Sequence, residues 1–359
     1  MEIGLAGLPG CGKTTVFNAL AEQHAEVGGF GAGEIHRATV RVPDERLTRL
    51  SAMFSPRKTT PAEVRYLDIA GALGAEARQS AVLGQLRNVD ELLHVVRAFE
   101  SDVHPHPRGS VDPRRDYRET TAELALADLI VVERRVERLQ RELRMGKAAS
   151  SNPQWRELEL LESFIPALQE GRAIRTLGLS PADRRILRPY GLLTEKPELI
   201  VLNTGDDPSL ARGLEGPLQA ASGGGPIRVC SLAARLESEL AELREDERRE
   251  FMVDLGIEEL GRDRVIALSY QLLDLISFFT VGDDECRAWT IERGSPAVDA
   301  AGVIHSDLAR GFIRGEVVRY EDLVATGGMT EARRAGVLRV EGKAYPVQDG
   351  DIVHFLFNV

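Results

Sequence analysis

The chain has 359 residues, of which 28% are charged and 43% hydrophobic, and this composition is typical of globular proteins and excludes disordered, collagen-like and fibrous classes. Acidic residues number 56 against 45 lysines and arginines, so the formal net charge of -11 argues against a surface that coats nucleic acid generally. The cysteines Cys11, Cys230 and Cys286 lie far apart in the sequence and fit neither a disulfide framework nor a metal site. The sequence shows no basic leader and no apolar run of membrane length, so we expect a cytoplasmic protein with no membrane contact.

Short apolar segments separated by helical or loop material predict a parallel α/β sheet. The first segment, residues 3–6, stops at a Gly/Pro cluster that is followed by a helical pattern, which indicates strand, glycine loop and helix. Further strands are predicted at residues 64–69, 92–96, 199–202 and 227–229. We therefore predict a nucleotide-binding domain formed by residues 1–125 and 195–275.

Two apolar series interrupt this sheet between its third and fourth predicted strands. Val132, Val136 and Leu139 step by three and four among Arg and Glu residues, and a second series with this spacing follows residue 153. The spacing predicts an antiparallel helical hairpin inserted as residues 126–194. Its charged outer face fits either a docking arm or a solvated surface, and the sequence leaves both open.

Residues 276–359 have a different sequence pattern from the rest of the chain. Short apolar or alternating stretches are punctuated by Gly-rich turns, which predicts a compact mixed β domain. Trp289, Phe312 and Phe357 are interpreted as core residues of this domain rather than as stacking platforms for RNA bases.

Residues 7–14 read Gly-Leu-Pro-Gly-Cys-Gly-Lys-Thr and match the phosphate-loop pattern G-x-x-x-x-G-K-[ST]. Glycines let backbone N–H groups converge on a phosphate, Lys13 bridges the β- and γ-phosphates, and the Thr14 hydroxyl binds Mg²⁺. The predicted nucleotide contacts in this loop are Pro9, Gly10, Cys11, Gly12, Lys13, Thr14 and Thr15. Lys13 is also a predicted catalytic residue.

Loops after three further strands complete the predicted site. Asp68 and Gly71 have the D-x-x-G spacing in which the Asp orients Mg²⁺ and the Gly N–H meets the γ-phosphate. Asn203 and Asp206 have the N-x-x-D spacing of a base-reading loop, although an ordinary Asx turn gives the same spacing. Ser231, which follows the next strand, is expected to close the base pocket.

These motifs, in this order and with a helical hairpin before the base loop, resemble the YchF subfamily of Obg-related P-loop NTPases. The resemblance is densest in residues 42–47, 94–97, 123–129, 287–290, 311–314 and 349–355. It implies that residues 276–359 are a TGS region with a ubiquitin-like β-grasp fold. It also implies a monomeric nucleotide hydrolase that associates with ribosomes or RNA and often prefers ATP over GTP.

Several positions depart from the family pattern. Gly10 replaces an Asn that helps to hold potassium in related enzymes, and Ala32 replaces a Mg²⁺-binding Thr of switch I. The Gly-rich stretch after D-x-x-G is shortened. In the base loop Asp206 replaces the family's Glu, and Thr204 replaces the Lys of GTPases. The choice between ATP and GTP as the bound nucleotide therefore stays open, and the family resemblance slightly favours ATP. We therefore predict slow hydrolysis, with a nucleotide-binding scaffold that lacks useful turnover as the alternative.

The residue that orients the attacking water is not the usual one, because Ala72 occupies the position of the GTPase Gln. The family carries a histidine in a loop after the third strand, and counting without gaps places His106 there, with His104 as a competitor. The alternative for His106 is an ordinary surface histidine. Cys11 is expected to have a lowered pKa, unless the loop buries its sulfur.

Overall fold

The computed structural model describes residues 1–22, 35–69, 82–145, 153–257 and 259–358. The chain divides into two compact units, of which unit 1 comprises Met1–Ala38 and Arg65–Leu272 and unit 2 comprises Thr39–Val64 and Leu273–Val359. None of the helices in the described ranges is long and apolar enough to span a membrane.

The strands and helices are numbered in chain order. The strands are β1 (Glu2–Ala6), β2 (Ile35–Arg41), β3 (Lys58–Thr60), β4 (Glu63–Ile69), β5 (Glu91–Arg97), β6 (Glu198–Asn203), β7 (Ile227–Leu232), β8 (Leu275–Thr280), β9 (Glu285–Glu292), β10 (Phe312–Arg319), β11 (Arg339–Glu341) and β12 (Asp351–Phe357). The α-helices with both ends described are α1 (Lys13–Ala21), α2 (Glu45–Phe54), α3 (Pro113–Met145), α4 (Pro153–Gln169), α5 (Pro181–Leu187), α6 (Glu215–Ala221), α7 (Ala234–Ala241), α8 (Glu245–Asp254), α9 (Gly261–Leu272), α10 (Ala297–Ile304), α11 (Ser306–Arg310), α12 (Tyr320–Thr326) and α13 (Met329–Arg334).

The first sheet has the strand order β2-β4-β1-β5-β6-β7. Strand β1 pairs in parallel with β4 and β5, and the parallel pairing continues through β6 to β7. Every residue of β5 and β6 is buried, as expected for a parallel sheet covered on both faces. The predicted parallel sheet is therefore confirmed. Strand β2 was not predicted, because only Ala38 and Val40 of its residues are buried and an edge strand gives a weak apolar signal.

The predicted helical hairpin corresponds to α3 and α4. Their shared core contains Val132, Val136, Leu139, Leu161 and Leu168, which are residues of the two apolar series. Helix α3 begins well before the predicted insertion, because Asp112 accepts hydrogen bonds from two backbone N–H groups of its first turn and Pro113 suits the first helical position.

The sheet of unit 2 has the order β11-β10-β12-β8-β9-β3. Strands β8 and β9 form an antiparallel hairpin, β12 lies parallel to β8, and β10 pairs antiparallel with β12. With α10 between β9 and β10, this is a β-grasp arrangement. Phe312 is buried and Trp289 packs against the same core, whereas the interpretation of Phe357 as a core residue is wrong, because 46% of it is exposed.

Residues 39–64 belong to unit 2, although the sequence placed them with the nucleotide-binding domain. Strand β3 pairs in parallel with β9, which extends the second sheet. Arg46 donates to both carboxylate oxygens of Asp44 and forms an ion pair with Asp349 at 3.0 Å. These long-range pairings have no signature in the local sequence.

A buried carboxyl group lies at the start of β5. The Ser269 hydroxyl donates to Oε1 of Glu91 at 2.8 Å, whereas Oε2 of Glu91 and the hydroxyl of Tyr66 are buried without a hydrogen-bond partner in the described part of the chain. Burial raises the pKa of Glu91 to about 8, so this carboxyl is protonated at neutral pH.

This raised pKa predicts how stability changes with pH. The stability that protonated Glu91 contributes is complete below the unfolded pKa of about 4.3 and is lost as the pH rises through 8. We expect Glu91→Gln to increase the free energy of unfolding by about 1–2 kcal/mol at pH 8.5 and to change it little at pH 5. Urea unfolding at both pH values checks this, and a larger gain at pH 5 would contradict it.

Candidate nucleotide-binding site

The phosphate loop connects the end of β1 to the start of α1. Gly7 and Gly12 adopt φ values of 146° and 88°, which L side chains rarely allow. A Cβ atom on Gly7 would collide with the carbonyl oxygen of Val95, and one on Gly12 would collide with the side-chain amide of Asn203. Both glycines are therefore required by backbone conformation and by close approach.

A cavity of about 630 Å³ lies beside this loop. Its wall includes Gly12 to Thr15, residues 99–101 after β5 and residues 203–207 after β6. All three segments follow the carboxyl ends of parallel strands, where ligands of open α/β sheets bind. The volume is in the range of small-molecule and cofactor sites.

Lys13 and Thr14 occupy the positions that phosphate chemistry requires. The Lys13 ammonium donates to the carbonyls of Gly7 and Leu8 at 3.0 and 3.1 Å, and the Thr14 hydroxyl donates to Oδ2 of buried Asp68 at 2.7 Å. Hydroxyl and carboxylate oxygens are ligands that Mg²⁺ prefers, and nucleotide sites supply only one or two of them because phosphates and waters supply the rest. Thr14 and Asp68 therefore fit a magnesium ion. Larger clusters of His, Cys, Asp and Glu able to hold a metal are absent from the described residues.

The N-x-x-D segment braces the phosphate loop. The Asn203 side-chain amide donates to the carbonyl of Cys11 at 3.0 Å, and its Oδ1 accepts the N–H of Gly205 at 3.1 Å. Asp206 lines the cavity, with its exposed carboxylate 3.5 Å from the guanidinium of Arg235. Asn203 thus holds two loops together and leaves Asp206 open to a ligand.

Other predicted site residues lie elsewhere. Pro9, Cys11 and His106 border a separate void of about 10 Å³. Ser231 is not on the cavity wall. Its carbonyl and hydroxyl accept hydrogen bonds from Arg264 at 2.9 and 3.2 Å. The predictions for Gly71, Ala32 and Ala72 lie outside the described residues.

His106 does not reach the nucleotide cavity in this structure. It is buried, its Nδ1 accepts the N–H of Arg108 at 3.1 Å, and its Nε2 lies 2.9 Å from Oδ2 of Asp116. With both ring nitrogens engaged, no atom of the imidazole is available to orient water. His104 is exposed and lines the cavity, so the structure places the competing histidine there.

Arg97, a buried arginine at the end of β5, was not predicted as a site residue from the sequence. Its guanidinium donates to the carbonyls of Gly10, Phe99 and His104 at 3.3, 2.9 and 2.9 Å, and it lies 4.5 Å from the centre of the Phe99 ring. Arg97 therefore connects the phosphate loop to the loop that carries His104. The available signal was a charged residue that ends an apolar run, and its partners could not be read from the sequence.

The loop buries the sulfur of Cys11, which is the condition under which no lowered pKa is expected. Only 3% of the residue is exposed, and burial raises the pKa of its thiol despite the nearby Lys13 charge. We expect iodoacetamide to label Cys11 no faster than buried Cys230, because the reactive thiolate is scarce in both. Site-resolved mass spectrometry over time measures both rates, and faster labelling of Cys11 would contradict the burial seen here.

Two family profiles match separate parts of the chain. One is described as a 50S ribosome-binding GTPase and matches residues 2–135. The other is the YchF-GTPase C-terminal family, described as a protein of unknown function, and matches residues 275–358.

Curated relatives match along the whole chain. The ribosome-binding ATPase YchF of Bacillus subtilis is 40% identical over 369 aligned residues, covering 100% of both chains, and that of Haemophilus influenzae is 40% identical, covering 100% of this chain and 99% of the relative. The YchF GTPase structure from Schizosaccharomyces pombe has a TM-score of 0.86 at 28% identity, covering 99% of this chain and 97% of that chain. A GTP-binding protein from Pyrococcus horikoshii shares the fold at a TM-score of 0.61 and 18% identity, covering 100% of both chains.

Proposed function

The chain belongs to the YchF family of P-loop NTPases, and from this premise we propose that it is a ribosome-associated enzyme that hydrolyses ATP or GTP slowly. The observation that carries this proposal is the phosphate loop beside the 630 Å³ cavity, with Lys13 next to the Thr14–Asp68 pair. Relatives named ribosome-binding ATPases share the whole length of this chain, which supports the ribosome as partner.

The proposal also covers the domain organisation, the oligomeric state and the cellular compartment of the protein. We propose a cytoplasmic monomer with three parts: the nucleotide-binding sheet of residues 1–125 and 195–275, the helical insertion of residues 126–194, and a TGS-like domain of residues 276–359. The contacts of residues 39–64 support moving that segment into the third part.

Nucleotide binding in this site follows from hydrogen-bonding groups that can exchange their present partners for phosphate oxygens. The Lys13 ammonium, which now donates to two loop carbonyls, turns to the β- and γ-phosphates, whose charge it matches better than a carbonyl does. The Thr14 hydroxyl and the Asp68 carboxylate would hold Mg²⁺, which when bound neutralises charge on the phosphates. Asn203 keeps the phosphate loop in register with the base loop.

The base loop supports only weak discrimination between ATP and GTP. Asp206 can accept hydrogen bonds from guanine, but the short, uncharged side chain of buried Thr204 cannot brace the loop as a lysine would. The family resemblance favours ATP. A guanine preference above about 100-fold, equivalent to roughly 2.7 kcal/mol, would contradict this part of the proposal.

Two measurements test the proposed function. Steady-state phosphate release from ATP and GTP, with and without ribosomes, tests the enzyme, and co-sedimentation with ribosomes tests the partner. The scaffold remains a second candidate, because His106 is bonded to Asp116 instead of facing the cavity. Tight nucleotide binding without protein-dependent phosphate release would establish the scaffold and contradict the enzyme.

The two histidines provide a direct test of the catalytic group. If His106 leaves Asp116 and orients water during turnover, His106→Ala lowers kcat about 100-fold with little change in nucleotide affinity. His104→Ala, the matched substitution two residues away, then changes kcat less than about threefold. The reverse result assigns the water to His104, and unchanged kcat in both variants removes this loop from the mechanism.

A further inference from the structure

A second cavity of unit 1, of about 510 Å³, lies at the amino-terminal edge of the first sheet. Its wall includes Asp90 and Pro197, which directly precede β5 and β6. The nucleotide cavity follows the carboxyl ends of these strands, and because they are parallel the two cavities lie at opposite edges of the sheet. The second cavity is therefore separate from the nucleotide site, and we name it the basic groove.

The charge of the basic groove is opposite to that of the whole protein. Five basic residues line it, namely Arg87, Arg184, Arg185, Arg188 and Lys196. Only two acidic residues line it, Asp90 and Glu195, although the chain carries a net charge of -11. Concentrated positive charge on an acidic protein indicates a local anion-binding surface.

Three of the basic side chains are fixed by partners within the fold. Arg87 forms an ion pair with buried Asp128 at 2.9 Å, and Arg184 forms one with Glu195 at 3.1 Å. The ammonium of buried Lys196 donates to the carbonyl of Val89 at 2.5 Å. These contacts hold the walls of the groove in place.

The other two basic side chains are available to a ligand. Arg185 and Arg188 are exposed, and no described residue forms an ion pair or side-chain hydrogen bond with either guanidinium. Arg185 lies in α5 and Arg188 directly follows it, so short-range backbone structure holds them on one wall. Guanidinium groups suit phosphate oxygens, which they contact through two parallel N–H donors.

We propose that the basic groove binds the phosphodiester backbone of RNA. None of the described residues that line it is aromatic, so it offers no platform for base stacking, whereas arginines spaced along one wall fit successive phosphates. The choice of RNA over another polyanion rests on the proposed association with ribosomes. Binding here is independent of base sequence, because phosphate contacts carry no sequence information.

Charge reversal of the two unpartnered arginines tests the groove in the full-length protein. The variant Arg185→Glu/Arg188→Glu is compared with Arg319→Glu/Arg334→Glu, which changes two exposed arginines of unit 2 that also lack side-chain partners among the described residues and produces the same net charge. Fluorescence anisotropy measures affinity for a short RNA duplex of mixed sequence over a range of salt concentrations. Polyglutamate of matched charge and inorganic phosphate are the competing probes.

We expect the groove variant to bind the RNA duplex at least about tenfold more weakly at low salt, with a salt slope smaller by about 1.8, because two phosphate contacts are lost. The control pair should bind as the wild type does, and phosphate release by both variants should be unchanged. Equal weakening in both variants, or polyglutamate binding as tight as RNA binding, overturns the proposal. The proposal is also overturned if the groove variant binds inorganic phosphate more weakly than the wild type but binds the RNA duplex as tightly as the wild type does.

Ribosome co-sedimentation of the wild type separates this proposal from the proposed function. Loss of sedimentation only in the groove variant supports the groove as an RNA contact on the ribosome. A wild type that does not sediment with ribosomes contradicts the ribosome association, whereas the duplex measurement still tests the groove.

Discussion

Lys13→Ala should lower kcat/KM for nucleotide hydrolysis by at least about 100-fold, which corresponds to roughly 2.7 kcal/mol of transition-state stabilisation. Lys13 is the cation at the start of α1 on the cavity wall. Phosphoryl transfer depends on positioning and on stabilising the negative charge at the transferred group. The neutral backbone of the loop cannot supply the positive charge that the Lys13 ammonium provides.

The matched control is Lys343→Ala, which removes an exposed lysine of unit 2. Steady-state phosphate release measured across nucleotide concentrations separates kcat from KM, and the control should retain wild-type values for both. Hydrolysis that persists unchanged in the Lys13 variant would show that the activity comes from another site or from a contaminant. The proposed mechanism would then be wrong.

Arg175→Met should destabilise unit 1 by about 3–5 kcal/mol, because it leaves a buried carboxylate without its counter-charge. Arg175 and Glu198 are both inaccessible to solvent and lie 2.5 Å apart. The Arg175 guanidinium also donates to the carbonyls of Lys196 and Leu193 at 2.6 and 2.9 Å. His94 lies 3.0 Å from the other oxygen of Glu198. The Arg175–Glu198 ion pair therefore connects the segment that follows α4 to strand β6 of the sheet.

The pH dependence of this effect follows from the same pair. Burial opposes ionisation of Glu198, but Arg175 and His94 hold its pKa below its usual range, so in the wild type the pair stabilises above pH 4.3 and this stability is lost as the pH falls through the lowered pKa. Without Arg175, burial raises the Glu198 pKa. The cost of Arg175→Met should therefore be larger at pH 8 than at pH 5.

Tryptophan fluorescence can follow unit 1 alone. The chain has two tryptophans, Trp155 in α4 and Trp289 in β9, so a Trp289→Phe background leaves Trp155 as the probe during urea unfolding.

The matched control is Arg172→Met, which removes an exposed arginine paired with Glu170 and should cost less than about 1 kcal/mol. Adding Glu198→Gln to Arg175→Met should recover part of the loss, and a loss below about 1 kcal/mol for Arg175→Met would show that the buried pair is unimportant.

The sequence determined the parts of the site that depend on neighbouring residues. The phosphate loop could be predicted because a strand, three glycines and a helix start within twelve residues leave one arrangement for Lys13 and Thr14. Asp68 and Asn203 could be added because the carboxyl ends of parallel strands meet at one edge of a sheet, and the structure places Asp68 beside Thr14 and Asn203 beside the loop.

Features that depend on partners far along the chain could be identified only from the tertiary structure. His104 and His106 are two residues apart in a similar local sequence, yet Asp116 binds one of them in a buried position while the other lines the cavity. Arg97 and Arg175 are charged residues that the sequence gives no reason to bury, and the Arg46–Asp349 pair assigns residues 39–64 to unit 2. Apolar periodicity reports which face of an element is buried, but a charged side chain is placed by partners far along the chain, and only the folded chain brings those partners together.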